Sequence, residues 1–394
     1  MKAESNWLKA RPGKSLRLKV LQCCRAGYCR ALRNWVGRYF DQSESALLRK
    51  ALRLRAQTAV SPCYLAVFCI FILASSICHA NERNIIFFIT DDQGQTLGCY
   101  GDKVAKTPNI DALAQDGVIF RNAFATTASC SASRSVVMSG LHNHKNGQYG
   151  HQHHFHKFDS YHNVVSLALP RVLAGAGYRT AHIGKYHVGP EAVYHFEEYL
   201  QGNARNPVLM ADNCKDFINA QDDRPFFLYF GTSDPHRGGG RDETSPLKLK
   251  PDLFGNKPNK KSHKGIDEVF YKTDEVEVPS FLSDTPETRE ELAQYYQSVA
   301  RIDQGLGRLI EILKEAGVYD KTLIVFTADH GMAFAGAKTT VYDPGLRVPF
   351  VVRNPYEKKR GFLSQAMISH IDICLLYTSP SPRDRTRSRM PSSA

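Results

Sequence analysis

Three apolar runs of strand length punctuate the chain, and each stops at ionisable residues. The run from Ile85 to Thr90 gives way to Asp91, Asp92, Gln93 and Gly94. Pro225 to Phe230 is followed by Ser233, Asp234, Pro235, His236 and Arg237, and Thr322 to Thr327 by Asp329, His330 and Gly331. Unbroken hydrophobicity, without alternation, marks strands buried on both faces of a parallel sheet, and α/β sheets bind ligands at the carboxyl ends of such strands. A shorter run, Thr180 to Ile183, leads into Gly184, Lys185, Tyr186, His187, Val188, Gly189 and Pro190, and Pro349 to Val352 is a further candidate strand.

Helical periodicity fills the intervals. Thr107 and Pro108 supply an N-cap and a proline at the first helical position, Ile110, Leu113 and Ala114 an apolar stripe, and Gly117 a stop. Val165 to Gly175 reads as a second helix. Pro286 to Gly317 is the longest pattern, with Leu292, Tyr295, Tyr296, Val299, Ile302, Leu306, Leu309, Ile310 and Leu313 on one face, though Gly305 and Gly307 weaken its middle. Gly238 to Gly265, rich in Gly, Pro, Lys and Ser, reads as a long surface loop. Strands alternating with helices give an α/β fold, a large and mostly parallel sheet flanked by helices.

Between the first two units lies Cys130, Ser131, Ala132, Ser133, Arg134, followed by Ser139 and Gly140. A small-residue turn entering a helix places the thiol and the guanidinium about one turn apart on one side, beside the unpaired N–H groups of the helix start. A lone cysteine there is, taken alone, equally well an inert buried thiol. The histidines from Gly150 to His156 fit no particular metal spacing and read as a polar loop.

Charge narrows the reading. The formal net charge is +12, yet residues 1–60 hold 14 Lys/Arg against 3 acids and residues 381–394 hold 4 against 1. The body is therefore slightly acidic, and nucleic acid is not an expected partner. Residues 1–60 read as a basic extension outside the fold. Tyr64 to Ile77, within a segment spanning 61–80, is an apolar run after basic residues and before Cys78, His79 and Ala80. That order describes a secretory signal, with a membrane anchor as the alternative. Six of the ten cysteines precede residue 81, so the body is no disulfide scaffold. Residues 375–394 are a Ser/Pro/Arg stretch that cannot build a core and read as a non-native tail.

Four strand ends thus supply Asp91 and Asp92, Lys185 and His187, His236, and Asp329 and His330, with Cys130 and Arg134 on a helix start and Lys338 in a nearby loop. Hard carboxylates suit Ca²⁺ or Mg²⁺, and a divalent ion with Arg and Lys suits a multiply charged oxyanion, which points to sulfuryl or phosphoryl transfer.

From Asn84 to about Cys374 these motifs and their order resemble the sulfatases of the alkaline phosphatase superfamily. Cys130 to Arg134 with Ser139 and Gly140 resembles the family signature, in which the cysteine is oxidised to formylglycine; Ala132 stands where the family usually has Pro, and Ser139 where it has Thr. Leu141 to Gly147, Gly184 to Pro190, Asp234 to Arg237 and Asp303 to Gly305 are most similar to the branch that removes the N-sulfate of glucosamine in heparan.

The resemblance implies that Asp91, Asp92, Asp329, His330 and modified Cys130 hold one divalent ion, usually calcium (Ca2+). The family mostly has Asn where His330 stands, and histidine is a poorer partner for calcium. It implies a hydrated aldehyde at residue 130 as nucleophile, oriented by Arg134. Lys185 and Lys338 then bind sulfate oxygens, and His187 and His236 carry protons. A sulfated glycan substrate, a formylglycine-generating or sulfatase-maturing enzyme, a secreted, periplasmic or lysosomal location and a homodimer are the implied partners and setting. An O-sulfatase, a phosphonate or phosphate ester hydrolase, or an inactive glycan-binding fragment are the competing readings. The family's smaller C-terminal domain is not recognisable here, so 84–374 is expected to be a truncated catalytic domain with an uncovered apolar face and low stability.

Overall fold

The central strand β1 (Asn84–Thr90) is buried along its whole length and alternates its contacts between two cores. Ile86 and Phe88 point into one, with Leu228, Phe230, Ile324 and Phe326; Ile85, Phe87 and Ile89 point into the other, with Phe227, Tyr229 and Val325. Two apolar faces on one strand are what an unbroken hydrophobic run requires. The computed structural model describes residues 83–152, 157–238, 254–257 and 261–373. The expected basic extension, the segment 61–80, the tail 375–394 and most of the loop from Gly238 to Gly265 lie outside the described residues.

The other strands are β2 (Val118–Phe124), β3 (Arg179–Gly184), β4 (Glu198–Leu200), β5 (Phe226–Gly231), β6 (Thr322–Ala328), β7 (Phe350–Arg353) and β8 (Phe362–Ser369). They form one sheet in the order β4-β3-β5-β1-β6-β7-β2-β8. Strands β4, β3, β5, β1 and β6 pair in parallel, as do β2 and β8, and β7 runs antiparallel to both of its neighbours. The mostly parallel α/β architecture expected from the sequence is the one observed.

The main helices are α1 (Pro108–Gln115), α2 (Cys130–Ser139), α3 (Leu169–Gly175), α4 (Pro207–Asn213) and α5 (Pro286–Glu315). The Thr285 hydroxyl starts α5 by accepting from the Thr288 N–H at 3.2 Å, and the predicted apolar face is buried except at Ile310, which is partly buried. Gly305 and Gly307 are explained by packing. A Cβ at Gly305 would stand 2.3 Å from the Pro207 side chain and one at Gly307 2.6 Å from Asn109, so lost helix propensity is traded for close approach of α4 and α1.

Two expectations change. The helix read over Val165 to Gly175 is a 3-10 segment (His162–Ser166) followed by α3, with Pro170 in the first turn of α3. Proline cannot donate the bond a continuous helix needs, so the helix restarts there. The described part of the expected surface loop is not all on the surface, since Phe254 is fully buried and its ring stacks on Phe334.

Candidate active site

Strands β3, β5, β1 and β6 are consecutive in the sheet, so their carboxyl-end loops meet over its centre. Backbone bonds tie those loops together. The Asp91 N–H donates to the Asp234 carbonyl at 3.0 Å, the Asp329 N–H to Thr90 at 3.0 Å and the Lys185 N–H to Gly231 at 2.7 Å. Asp92 and His187 take left-handed backbone conformations, with φ of 62° and 57°. Such strain in non-glycine residues persists where the surroundings dictate it and gathers at functional sites.

Helix α2 brings Cys130 to its first turn and Arg134 one turn on, both buried. Arg134 reaches across the cluster. Its Nε donates to Asp329 Oδ2 at 2.9 Å, its Nη1 to the Tyr229 hydroxyl at 3.0 Å, and its Nη2 lies 3.6 Å from Asp91 Oδ1. The Cys130 sulfur is 3.4 Å from His330 Nε2 and 3.8 Å from Asp92 Oδ1. Burial, and then the carboxylates of Asp91 and Asp329, push this thiol well above its ordinary value. A protonated thiol is not a nucleophile, so unmodified Cys130 has no chemistry of its own here.

Lys185 Nζ contacts Asp91 Oδ2, and Lys338 Nζ donates to both oxygens of Asp92, at 2.7 and 2.9 Å. Burial lowers both lysines, but Asp91 and Asp92 respectively outweigh it, so both stay charged above their usual range. Burial would raise Asp91; Lys185 and then Arg134 hold it well below the carboxylate range instead. Burial and the neighbouring Asp91 raise Asp329. His236 turns Nδ1 toward the Arg237 carbonyl and places Nε2 3.8 Å from Asp92 Oδ2.

A cavity of about 560 Å³ opens over this cluster, lined among others by Asp91, Cys130, Lys185, His187, His236 and Lys338. Two further residues of its wall went unread in the sequence. His151, taken as part of an incidental polar loop, stacks on His187 with ring centres 5.6 Å apart and lies 3.2 Å from the Ser129 hydroxyl. Arg205 lines the wall while donating to Asp234 Oδ1 at 3.0 Å and to the His236 carbonyl at 2.6 Å. No periodicity flags either one; the fold alone brings them here.

The donor atoms of Asp91, Asp92, Cys130 and His330 lie within 4.8 Å of one another and are buried. Asp91 Oδ1 is buried with no hydrogen-bond donor among the described residues. An orphaned carboxylate oxygen beside three further donors fits a divalent cation. Asp329 adjoins this set, but its oxygens receive Arg134 and the N–H groups of Asp92 and His330, at 2.9, 3.0 and 2.9 Å.

Comparison with known proteins places the family and the fold. The chain is 38% identical to human N-sulphoglucosamine sulphohydrolase over 325 residues, covering 79% of this chain and 63% of that protein. It is 32% identical to an ulvan-active sulfatase of Formosa agariphila, covering 76% of this chain and 54% of that one. The chain thus spans less than two thirds of either relative. In structure it resembles the yidJ protein of Bacteroides fragilis, with a TM-score of 0.58 at 22% identity over 75% of this chain and 73% of that one. A second structure, solved with its substrate D-glucosamine-2-N,6-O-disulfate, gives a TM-score of 0.55 at 22% identity over 79% and 78% of the two chains. The sulfatase family profile matches residues 83–374, and the chain belongs to the sulfatase family.

Proposed function

We propose that this chain is the catalytic portion of a sulfatase acting on sulfated glycans, with the N-sulfate of glucosamine as the group it removes. The observation that carries the reading is the convergence of Arg134, Lys185 and Lys338 with three carboxylates on one side chain, Cys130. The 38% identity to human N-sulphoglucosamine sulphohydrolase supports the sulfamate among sulfated groups.

Residue 130 as formylglycine would supply the nucleophile, which the neutral thiol cannot. Asp91, Asp92 and His330, with residue 130 and Asp329 adjoining, would hold a divalent ion that neutralises charge on the sulfate. The resemblance implies calcium; the nitrogen donor at His330 argues for another ion. Arg134 fixes Asp329 and the start of α2, so residue 130 faces the cavity. Lys185 and Lys338, both held charged, bind sulfate oxygens as they leave the carboxylates. His236 turns Nδ1 toward the Arg237 carbonyl and Nε2 toward the cavity, so as the imidazolium, protonated on both nitrogens, it would give its Nε2 proton to the departing amine and be left neutral with the proton on Nδ1. His187, propped on the His151 ring, takes the proton released when sulfate departs.

The apolar segment at 61–80 would deliver the chain to the secretory route, where a maturing enzyme would oxidise Cys130. Among the described residues no helix is long and apolar enough to cross a membrane. The test is hydrolysis of N-sulfoglucosamine, an aryl sulfate and an aryl phosphate in parallel, with mass spectrometry of the peptide spanning Cys130. Sulfamate cleavage at least tenfold above the aryl esters, in protein with residue 130 converted, is expected. Equal or better phosphate hydrolysis, or converted protein inert on all three, overturns the reading.

A further inference from the structure

The side chain of His330 is fully buried, and its two nitrogens have different jobs. Nδ1 lies 3.0 Å from the Gly331 carbonyl, an acceptor only, so Nδ1 carries the proton of the neutral ring and Nε2 presents a lone pair. Among the described residues, the only donor that lone pair faces is the weak one of the Cys130 thiol; its other neighbours are carboxylate oxygens. Nε2 is 3.1 Å from Asp92 Oδ1, 3.4 Å from the Cys130 sulfur and 3.9 Å from Asp329 Oδ1. A ring nitrogen and a carboxylate oxygen 3.1 Å apart repel unless something positive lies between them.

A backbone carbonyl fixing one nitrogen of a buried histidine while the other faces carboxylates is the arrangement of a metal-ligating imidazole. The spacing agrees. Oδ1 of Asp92, Sγ of Cys130 and Nε2 of His330 are mutually 3.1, 3.4 and 3.8 Å apart. Atoms bonded at about 2.0–2.3 Å to one four-coordinate ion are separated by roughly 3.3–3.8 Å. Calcium instead collects six to eight oxygens at about 2.3–2.6 Å and gains little from a nitrogen, whereas imidazole suits zinc and its neighbours.

We propose that the cation site of this chain selects a first-row transition ion, zinc before manganese, over calcium, and that Nε2 of His330 makes the selection. This rests on the reading that the cluster holds a cation at all. The imidazole contributes to the preference in either state of residue 130; a thiolate adds to it and an aldehyde hydrate does not. Zinc binding through the thiol would release the Cys130 proton to solvent, so in unconverted protein uptake is accompanied by acidification.

The experiment strips the full chain with a chelator and equilibrates it with equal Zn²⁺, Mn²⁺ and Ca²⁺. Metal content is read by mass spectrometry after desalting, and thermal midpoints are measured in each ion alone. Expected are close to one zinc per chain, calcium below a tenth of an equivalent even at hundredfold excess, and a higher midpoint with zinc than with calcium. His330→Asn, which offers an amide oxygen, should move the Zn²⁺-to-Ca²⁺ preference at least hundredfold toward calcium. His151→Ala should leave zinc content unchanged, which separates this site from the neighbouring Cys130, His151 and His187 grouping. Should His330→Asn fail to fold, Co²⁺ added to the unaltered chain gives a second readout, nitrogen ligation in its visible spectrum. One equivalent of calcium retained in competition, an unchanged preference in His330→Asn, or zinc lost in His151→Ala overturns the inference while leaving a cation site. No ion retained at all means a proton fills the gap, which overturns both the inference and the metal-dependent reading beneath it.

Discussion

Two buried ion clusters sit side by side at the carboxyl end of the sheet, and they are built to different rules. Around Asp234 every charge is matched. Arg301 Nε donates to Asp234 Oδ2 at 2.9 Å, its other nitrogens reach Asn256 Oδ1, the Phe254 carbonyl and the Ser298 hydroxyl, and Arg205 takes Asp234 Oδ1 at 3.0 Å. Around Cys130 three carboxylates face Arg134, Lys185 and Lys338 yet crowd one another, one pKa raised and one lowered, and Asp91 Oδ1 receives no hydrogen bond among the described residues, with Arg134 Nη2 3.6 Å away. Full matching holds a loop in place, and incomplete matching leaves room for a cation and an anionic substrate. The first cluster is read as structure and the second as chemistry.

The sharpest way to break this contrast is to remove Arg301. Its loss leaves Asp234 Oδ2 buried with Arg205 on the other oxygen only, and takes the donor from Asn256, the Phe254 carbonyl and Ser298 as well; removing one partner of such a buried pair costs about 3–5 kcal/mol. Arg301→Met should therefore lower unfolding free energy by that amount in a urea titration, and an effect below about 1 kcal/mol would show that the matched cluster is not structural.

Next in size is the opposite experiment in the chemical cluster. Lys185→Ala should lower kcat/KM on N-sulfoglucosamine about 10²–10³-fold, the usual loss for one preorganised charge on a developing anion. Its stability should fall far less than in Arg301→Met, because Arg134 still faces Asp91. If Lys185→Ala melts like Arg301→Met while folded protein keeps its rate, the two clusters are alike and the active-site reading of Lys185 fails.

Arg205 joins the two clusters, holding Asp234 with one arm and the carbonyls of His236 and Arg237 at 2.6 and 3.2 Å. Arg205→Lys keeps the charge but not the fork. Losing one charged hydrogen bond, worth about 1.5–3 kcal/mol, should cost roughly tenfold or more in kcat/KM and move its pH profile. An unchanged pH profile would confine Arg205 to scaffolding.

How much of this was legible in the chain follows from burial. Strands β1, β5 and β6 are buried on both faces, so their apolar runs are unbroken and their carboxyl ends stand out. Strands β2, β4 and β8 went unread because exposure interrupts their pattern: β2 carries exposed Arg121 in its middle, and β8 lies at a sheet edge with Met367 79% exposed. Asp91, Asp92, Lys185, His187, His236, Asp329 and His330 were legible because they follow readable strands. His151 was not, since four histidines and a phenylalanine within six residues carry no periodicity and only the fold brings His151 to His187. The pairing of Asp234 with Arg301, 67 positions away, was likewise beyond any local signal.

The smallest effect lies at Asp116, far from either cluster in role, where ordinary surface pairing can be separated from buried matching. Its carboxylate accepts from Arg353 at 2.9 Å and from the Tyr319 hydroxyl at 2.8 Å, and it also contacts Arg360. Burial would raise this acid, but the Tyr319 and Arg353 hydrogen bonds outweigh it and the carboxyl ends below 3.8. A carboxyl lowered on folding binds fewer protons in the native state than in the unfolded one, so its contribution is full above 3.8 and is lost as pH falls toward the lower folded value. With its side chain 30% exposed, the contribution is about 1 kcal/mol, near the upper end for surface pairs. Asp116→Asn should thus be less stable by that amount at pH 7, and the two urea curves should converge as pH drops below 3.8. A gap that stays constant down to acid pH would mean that Asp116 acts by shape and not by charge, and that only the buried clusters store electrostatic free energy in this fold.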